Sequence, residues 1–200
     1  MIARNKYQRS LWTGRTVGLL GGSFNPAHIG HRHISLYAMK MLGLDAVWWM
    51  ITPQNPMKQA HVTAPIEERL RRARHISHHP RIVVTDIEKD FGTRYTVDTL
   101  RKMRAHYPDT KFVWIMGSDN LQHMHEWNDW QGIFSLMPVC VLARPPADDN
   151  VRAAPVINRF RPVMIPPEKA ATLPSAPTPA WTFLHIPLCD MSSTRIRENR

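Results

Sequence analysis

Apolar residues along this chain fall into short continuous runs separated by stretches with helical spacing. Runs at 17–20, 46–52, 81–87, 111–116, 139–143 and 181–186 read as six buried strands. Between them, Ile34, Ala38 and Leu42, then Ile66, Leu70 and Ala73, then Val97, Leu100 and Met103 or Arg104, line single helix faces. Gly43 stops the first of these helices. A last helix opens at Ser192. Strands alternating with helices predict an α/β fold in a single domain, a doubly wound parallel sheet with helices on both faces.

The polar positions refine this picture. Glu67, Glu68, Arg69, Arg71, Arg72 and Arg74 surround the second helical stripe and read as a solvated face. Residues 145–180 hold nine of the seventeen prolines and few apolar runs, and read as an irregular surface connection. Residues 1–15 are basic without an apolar core segment, so they read as a loose cytoplasmic leader rather than a secretory signal, ahead of one domain over 16–200. No apolar run approaches the roughly 20 residues of a membrane span. Cys140 and Cys189 form no metal or disulfide framework, and His75, His78 and His79 lack the partners of a zinc site. A formal charge of +10 points to anionic partners. Nucleic acid is one such class, but the arginine-rich helix carries no interleaved aromatics to stack on bases.

Chemistry concentrates at two places. Residues 17–35, V-G-L-L-G-G-S-F-N-P-A-H-I-G-H-R-H-I-S, spell a buried strand, a turn at Gly21 and Gly22, and a helix entrance carrying His28 and His31. That architecture offers backbone N–H groups and a positive dipole end to a phosphate. It is neither a P-loop nor the G-x-G-x-x-G dinucleotide turn. The fourth strand ends in Gly117-Ser118-Asp119, and in a doubly wound sheet the ends of the first and fourth strands meet at the ligand-binding switch point. The second place is S-S-T-R-I-R, 192–197, where hydroxyls exceed what a helix cap needs and arginines add charge. Arg195 and Arg197 lie two apart and face different ways.

Taken together, G-G-S-F-N-P-A-H-I-G-H, P-Q-N-P-M-K, R-Y-T-V-D-T-L, M-G-S-D-N, the tryptophan at 127, A-R-P and M-S-S-T-R-I-R resemble the bacterial nicotinate mononucleotide adenylyltransferase family of the H-x-G-H nucleotidyltransferases. The resemblance runs from about residue 16 to the end. It implies a Rossmann-like sheet and adenylyl transfer from ATP to nicotinate mononucleotide in the cytoplasm. Asn25 stands where the family often has aspartate. By residue, it implies that His28, His31 and Arg197 are catalytic. Gly21, Gly22, Ser23, Phe24, Lys58, Gly117, Asp119, Ser192, Ser193 and Thr194 then bind ATP and its phosphates. Tyr95, Thr96, Trp127 and Arg144 bind the acceptor nucleotide.

The attacking phosphate monoester has a second pKa of about 6 and is already ionised, so no general base is needed. What remains is alignment and stabilisation of developing charge. Mg²⁺ rides on the triphosphate with few or no protein ligands. N–H donors at the Tyr95-Thr96 helix start suit a nicotinate carboxylate. Transfer to nicotinamide mononucleotide or another phosphate ester, and a basic nucleic-acid-binding domain, are the alternatives.

Overall fold

The computed structural model describes residues 8–53, 63–143, 154–187, 189, 191 and 193–198, the last without the side chains of Arg195 and Glu198. Strands β1 (Thr16–Gly22), β2 (Ala46–Ile51), β3 (Ile82–Thr85), β4 (Lys111–Gly117), β5 (Val139–Leu142) and β6 (Trp181–Leu184) form one sheet. Their order is β3-β2-β1-β4-β5-β6, and every neighbouring pair is parallel. The chain winds outward from β1 to β3, returns to lay β4 against the other edge of β1, and winds outward again. The switch point therefore lies between the carboxyl ends of β1 and β4, as the alternating pattern predicts.

Helices α1 (Ile29–Leu42), α2 (Ile66–Ser77), α3 (Ile87–Phe91), α4 (Thr96–His106), α5 (Trp130–Leu136), α6 (Pro155–Phe160) and α7 (Ser193–Glu198) complete the order. Because strands between two helical layers are covered on both faces, they read as continuous apolar runs, and β2 is buried at all six positions. Its adjacent tryptophans point to opposite faces. Trp48 joins a core with Val97, Leu100 and Met103 of α4 and Phe134 of α5, whereas Trp49 joins Ile34 and Ala38 of α1 and Leu70 of α2. Gly43 ends α1 in the left-handed region at φ 66°, where a glycine carries no Cβ penalty.

Three expectations change. Residues 8–15 are not a loose leader: Trp12 packs edge-on to Trp48 at 5.0 Å, Gly14 N–H donates to Asp109 O, and Arg9 pairs with Asp109. The described part of 145–180 is not irregular either. It folds into α6 and the 3₁₀ run Pro167–Ser175, which bury Val156, Phe160, Ala170 and Leu173 on the two faces of the sheet. Prolines suit these pieces because Pro155 and Pro167 stand in first turns, where no N–H is required. Finally, the run at 81–87 yields only four strand residues, since the Thr85 hydroxyl accepts from Ile87 N–H and turns the chain into α3.

Candidate active site

The turn after β1 owes its shape to residues that fix the backbone. Gly21 is required by packing: a Cβ there would lie 2.4 Å from the Trp114 ring of β4. The left-handed residue of the turn is Phe24 (φ 45°), whose ring stacks on Trp49 at 5.2 Å and meets His31 at 4.6 Å. His28 caps α1, its Nδ1 accepting from Gly30 N–H at 3.1 Å, while His31 Nδ1 accepts from His28 N–H at 3.2 Å. This is a reciprocal capping box built from two imidazoles. With both Nδ1 atoms accepting, each neutral ring carries its proton on Nε2 and is a hydrogen-bond donor there. The rings lie 3.9 Å apart, and His28 is buried. Trp49 Nε1–H donates to Ser35 Oγ, which donates to His31 O, anchoring the turn of helix below.

The final helix docks onto this turn. Gly30 has no Cβ where Met191 O would stand 3.1 Å away, so the glycine between the histidines makes room for the chain entering α7. Ser193 Oγ donates to Pro26 O, Arg197 Nη1 to Asn25 O and Arg197 Nη2 to Thr194 Oγ1. The hydroxyls at 193 and 194 thus hold α7 and Arg197 in place. Asn25 Oδ1 accepts from Ala64 N–H, a role an aspartate could fill equally.

Beside the turn opens a cavity of about 320 Å³ whose lining includes Gly21, Gly22, Glu88, Tyr95, Thr96 and Trp127. Tyr95 is the N-cap of α4 and Thr96 its first residue, so the helix start faces the cavity. Trp127 is half-buried there, whereas Trp48, Trp49, Trp114 and Trp181 belong to the cores. Glu88 is buried, and desolvation pushes its carboxyl up to about 7 against the opposing effect of a hydrogen bond from Thr52. Two further depressions lie at the amino ends of the strands, near Lys111 and near Asp45, the end opposite to where such sheets bind ligands.

Comparison with known proteins agrees with this geometry. Residues 19–199 match the cytidylyltransferase-like family model. A protein of Ruegeria pomeroyi named as a probable nicotinate-nucleotide adenylyltransferase is 48% identical over 92% of this chain and 86% of its own. One of Cereibacter sphaeroides with the same name is 51% identical over 90% of this chain and 96% of its own. The chain belongs to the nicotinate-nucleotide adenylyltransferase family. Among solved structures, Plasmodium falciparum nicotinic acid mononucleotide adenylyltransferase complexed with NaAD shares the fold at a TM-score of 0.69 and 16% identity, covering 92% of this chain and 83% of that one.

For this member of the family, the site residues expected from sequence divide by place. Gly21, Gly22, Ser23, Phe24, His28, His31, Ser193, Thr194 and Arg197 gather at the β1 turn, and Tyr95, Thr96 and Trp127 gather in the cavity. Gly117 closes β4 beside β1, and Asp119 follows, exposed, on a 3₁₀ turn whose Ser118 is buried. Lys58, Arg144 and Ser192 lie outside the described residues. Two residues escaped the sequence. Arg69, expected on a solvated face, is 2% exposed and donates to four main-chain carbonyls, and burial lowers its pKa. Arg69 had a signal, since it stands three after Ile66 and four before Ala73, inside the apolar stripe. Glu88 had none, because five-residue α3 is too short to show periodicity. Among the described residues no cluster of three metal-ligating side chains occurs, and no helix is long and apolar enough to cross a membrane.

Proposed function

We propose that the protein joins the adenylyl group of ATP to nicotinate mononucleotide, forming nicotinate adenine dinucleotide and releasing pyrophosphate in NAD biosynthesis. One observation carries the reading: the two-histidine helix entrance and the cavity of Tyr95, Thr96 and Trp127 open on the same strand end, Gly21-Gly22. A donor phosphate at the first and an acceptor in the second would meet there.

The acceptor phosphate oxygen attacks the α-phosphorus and pyrophosphate leaves, so the protein aligns two polyanions and meets developing charge. The Nε2–H groups of His28 and His31 suit phosphate oxygens, and Arg197, held by Asn25 and Thr194, adds a cation at the same turn. Ser23, Lys58 and Ser192 would complete the phosphate contacts, and Asp119 would accept from a ribose diol. These groups are mostly donors, which suit the oxygens rather than a metal ion. Mg²⁺ would therefore travel on the triphosphate and neutralise its charge. Trp127 offers the pyridine ring a face, and the α4 entrance offers its carboxylate N–H groups. Glu88, neutral below about pH 7, is compatible with that anion; once ionised it opposes it. Unpaired cysteines at 140 and 189 suit the reducing cytoplasm.

Specificity constants for nicotinate mononucleotide and its amide at saturating MgATP test the acceptor. A charge-assisted pair against a mismatched amide costs about 1–3 kcal/mol, so at least about a tenfold preference for the acid is expected below pH 7. Equal constants would remove the carboxylate site and leave adenylyl transfer standing.

A further inference from the structure

Arg69 is a buried cation whose guanidinium donates to four main-chain carbonyls among the described residues, with Glu67 near enough to act on its charge. Nε donates to Ala64 O at 2.8 Å, Nη1 to Ser23 O at 2.8 Å and Thr52 O at 2.7 Å, and Nη2 to Pro53 O at 2.7 Å. Those acceptors belong to three separate stretches: the turn after β1, the chain leaving β2, and the chain entering α2. We propose that Arg69 is a positioning residue for ATP, its planar fork setting the phosphate-facing turn at Ser23 against the end of β2. The inference rests on the adenylyl-transfer reading and deepens its donor side.

An apolar replacement would leave four buried carbonyls without these donors and so cost stability, which is why ligand binding has to be read separately from folding. What only a guanidinium supplies is several donors in one rigid plane, able to fix carbonyls from different segments at fixed angles. The effect reaches further, because Ala64 N–H donates to Asn25 Oδ1 and Arg197 donates to Asn25 O. A shift at Ala64 therefore passes through Asn25 to Arg197 and the α7 entrance. Among the described residues, the acceptor cavity meets this network at the β1 end and at Thr52, which also bonds Glu88. The charge itself also lies beneath the turn, where it favours a polyanion, so geometry and charge must be separated experimentally.

Calorimetric binding of ATP and of nicotinate mononucleotide to the wild type, Arg69→Lys and Arg69→Met, with melting temperatures alongside, does this. Arg69→Lys keeps the charge and loses the fork; its ATP affinity should fall about tenfold, as for one lost charge-assisted hydrogen bond, with acceptor affinity within about twofold. Arg69→Met should bind ATP more weakly still, and millimolar methylguanidinium should recover part of that loss while leaving the wild type unchanged. Arg69→Lys binding ATP like the wild type would overturn the positioning role. So would equal weakening of both ligands in step with the folded fraction, without rescue. If Arg69→Met does not fold, the Arg69→Lys arm decides alone. A wild type that binds no ATP would overturn the adenylyl reading, and this inference with it.

Discussion

The two halves of the site are built on different principles. On the proposed donor side several polar side chains brace the main chain: His28 and His31 cap α1, Asn25 accepts from Ala64 N–H, Arg197 donates to Asn25 O and Arg69 donates to four carbonyls. On the proposed reading, backbone fixed in this way would hold donors where charge develops, without reorganisation during the reaction. The acceptor side is instead a cavity between elements, lined by a helix start, one indole face and a buried carboxyl. On the same reading it would select a ring by shape and charge, and the raised Glu88 carboxyl would make that selection respond to pH. The contrast predicts that donor-side variants alter turnover and ATP use, whereas acceptor-side variants alter acceptor use and pH response.

His31→Ala tests the contrast most severely. Losing a preorganised donor should lower kcat by about 10²–10³-fold, with little change in melting temperature, because the remaining cap at His28 holds the helix. Normal turnover with a collapsed melting temperature would make His31 structural. Arg197→Ala should raise KM for ATP by about 10–100-fold, the effect of a charged hydrogen-bond partner, while KM for the acceptor stays within about twofold. Trp127→Ala should do the reverse, raising KM for the acceptor by about 10-fold or more through lost stacking. If it raises KM for ATP equally, the division into two sides fails.

Glu88 sharpens the comparison through pH. Its carboxyl is raised from the ordinary 4.5 to about 7 in the fold, so the folded state binds the proton more tightly than the unfolded chain. Stability from this group is therefore greatest below pH 4.5 and falls as pH rises to about 7, by up to about 3 kcal/mol, then levels off. Glu88→Gln should remove that slope and, above pH 7, lower KM for nicotinate mononucleotide relative to the wild type. Identical slopes in urea melts across pH 4.5–8 would show that Glu88 is not buried as a neutral acid. The smallest effect belongs to Asn25→Asp, which keeps the acceptor for Ala64 N–H and should leave kcat/KM within about twofold.

Much of this arrangement could be read from the sequence, and the parts that could not share a cause. Six apolar runs alternating with helical stripes suffice for a parallel, doubly wound sheet, because such strands are buried on both faces, whereas the full strand order comes from the structure. The β1 turn and the α7 motif were readable because helix entrances demand particular residue types at fixed spacing. Arg69 and Glu88 were not recognised, because a charged letter is ordinarily solvated and only tertiary packing buries it. Trp12 and the prolines of 154–180 misled in the opposite direction: polar or proline-rich surroundings suggested loose chain, while Trp12, Phe160 and Leu173 anchor those stretches to the cores.

Pyrophosphate release from MgATP, followed with and without nicotinate mononucleotide, tests the whole account most directly. The account predicts acceptor-dependent release, with one dinucleotide formed for each pyrophosphate, and no release from ATP alone. Release that ignores the acceptor, or an acceptor consumed without pyrophosphate, would contradict it.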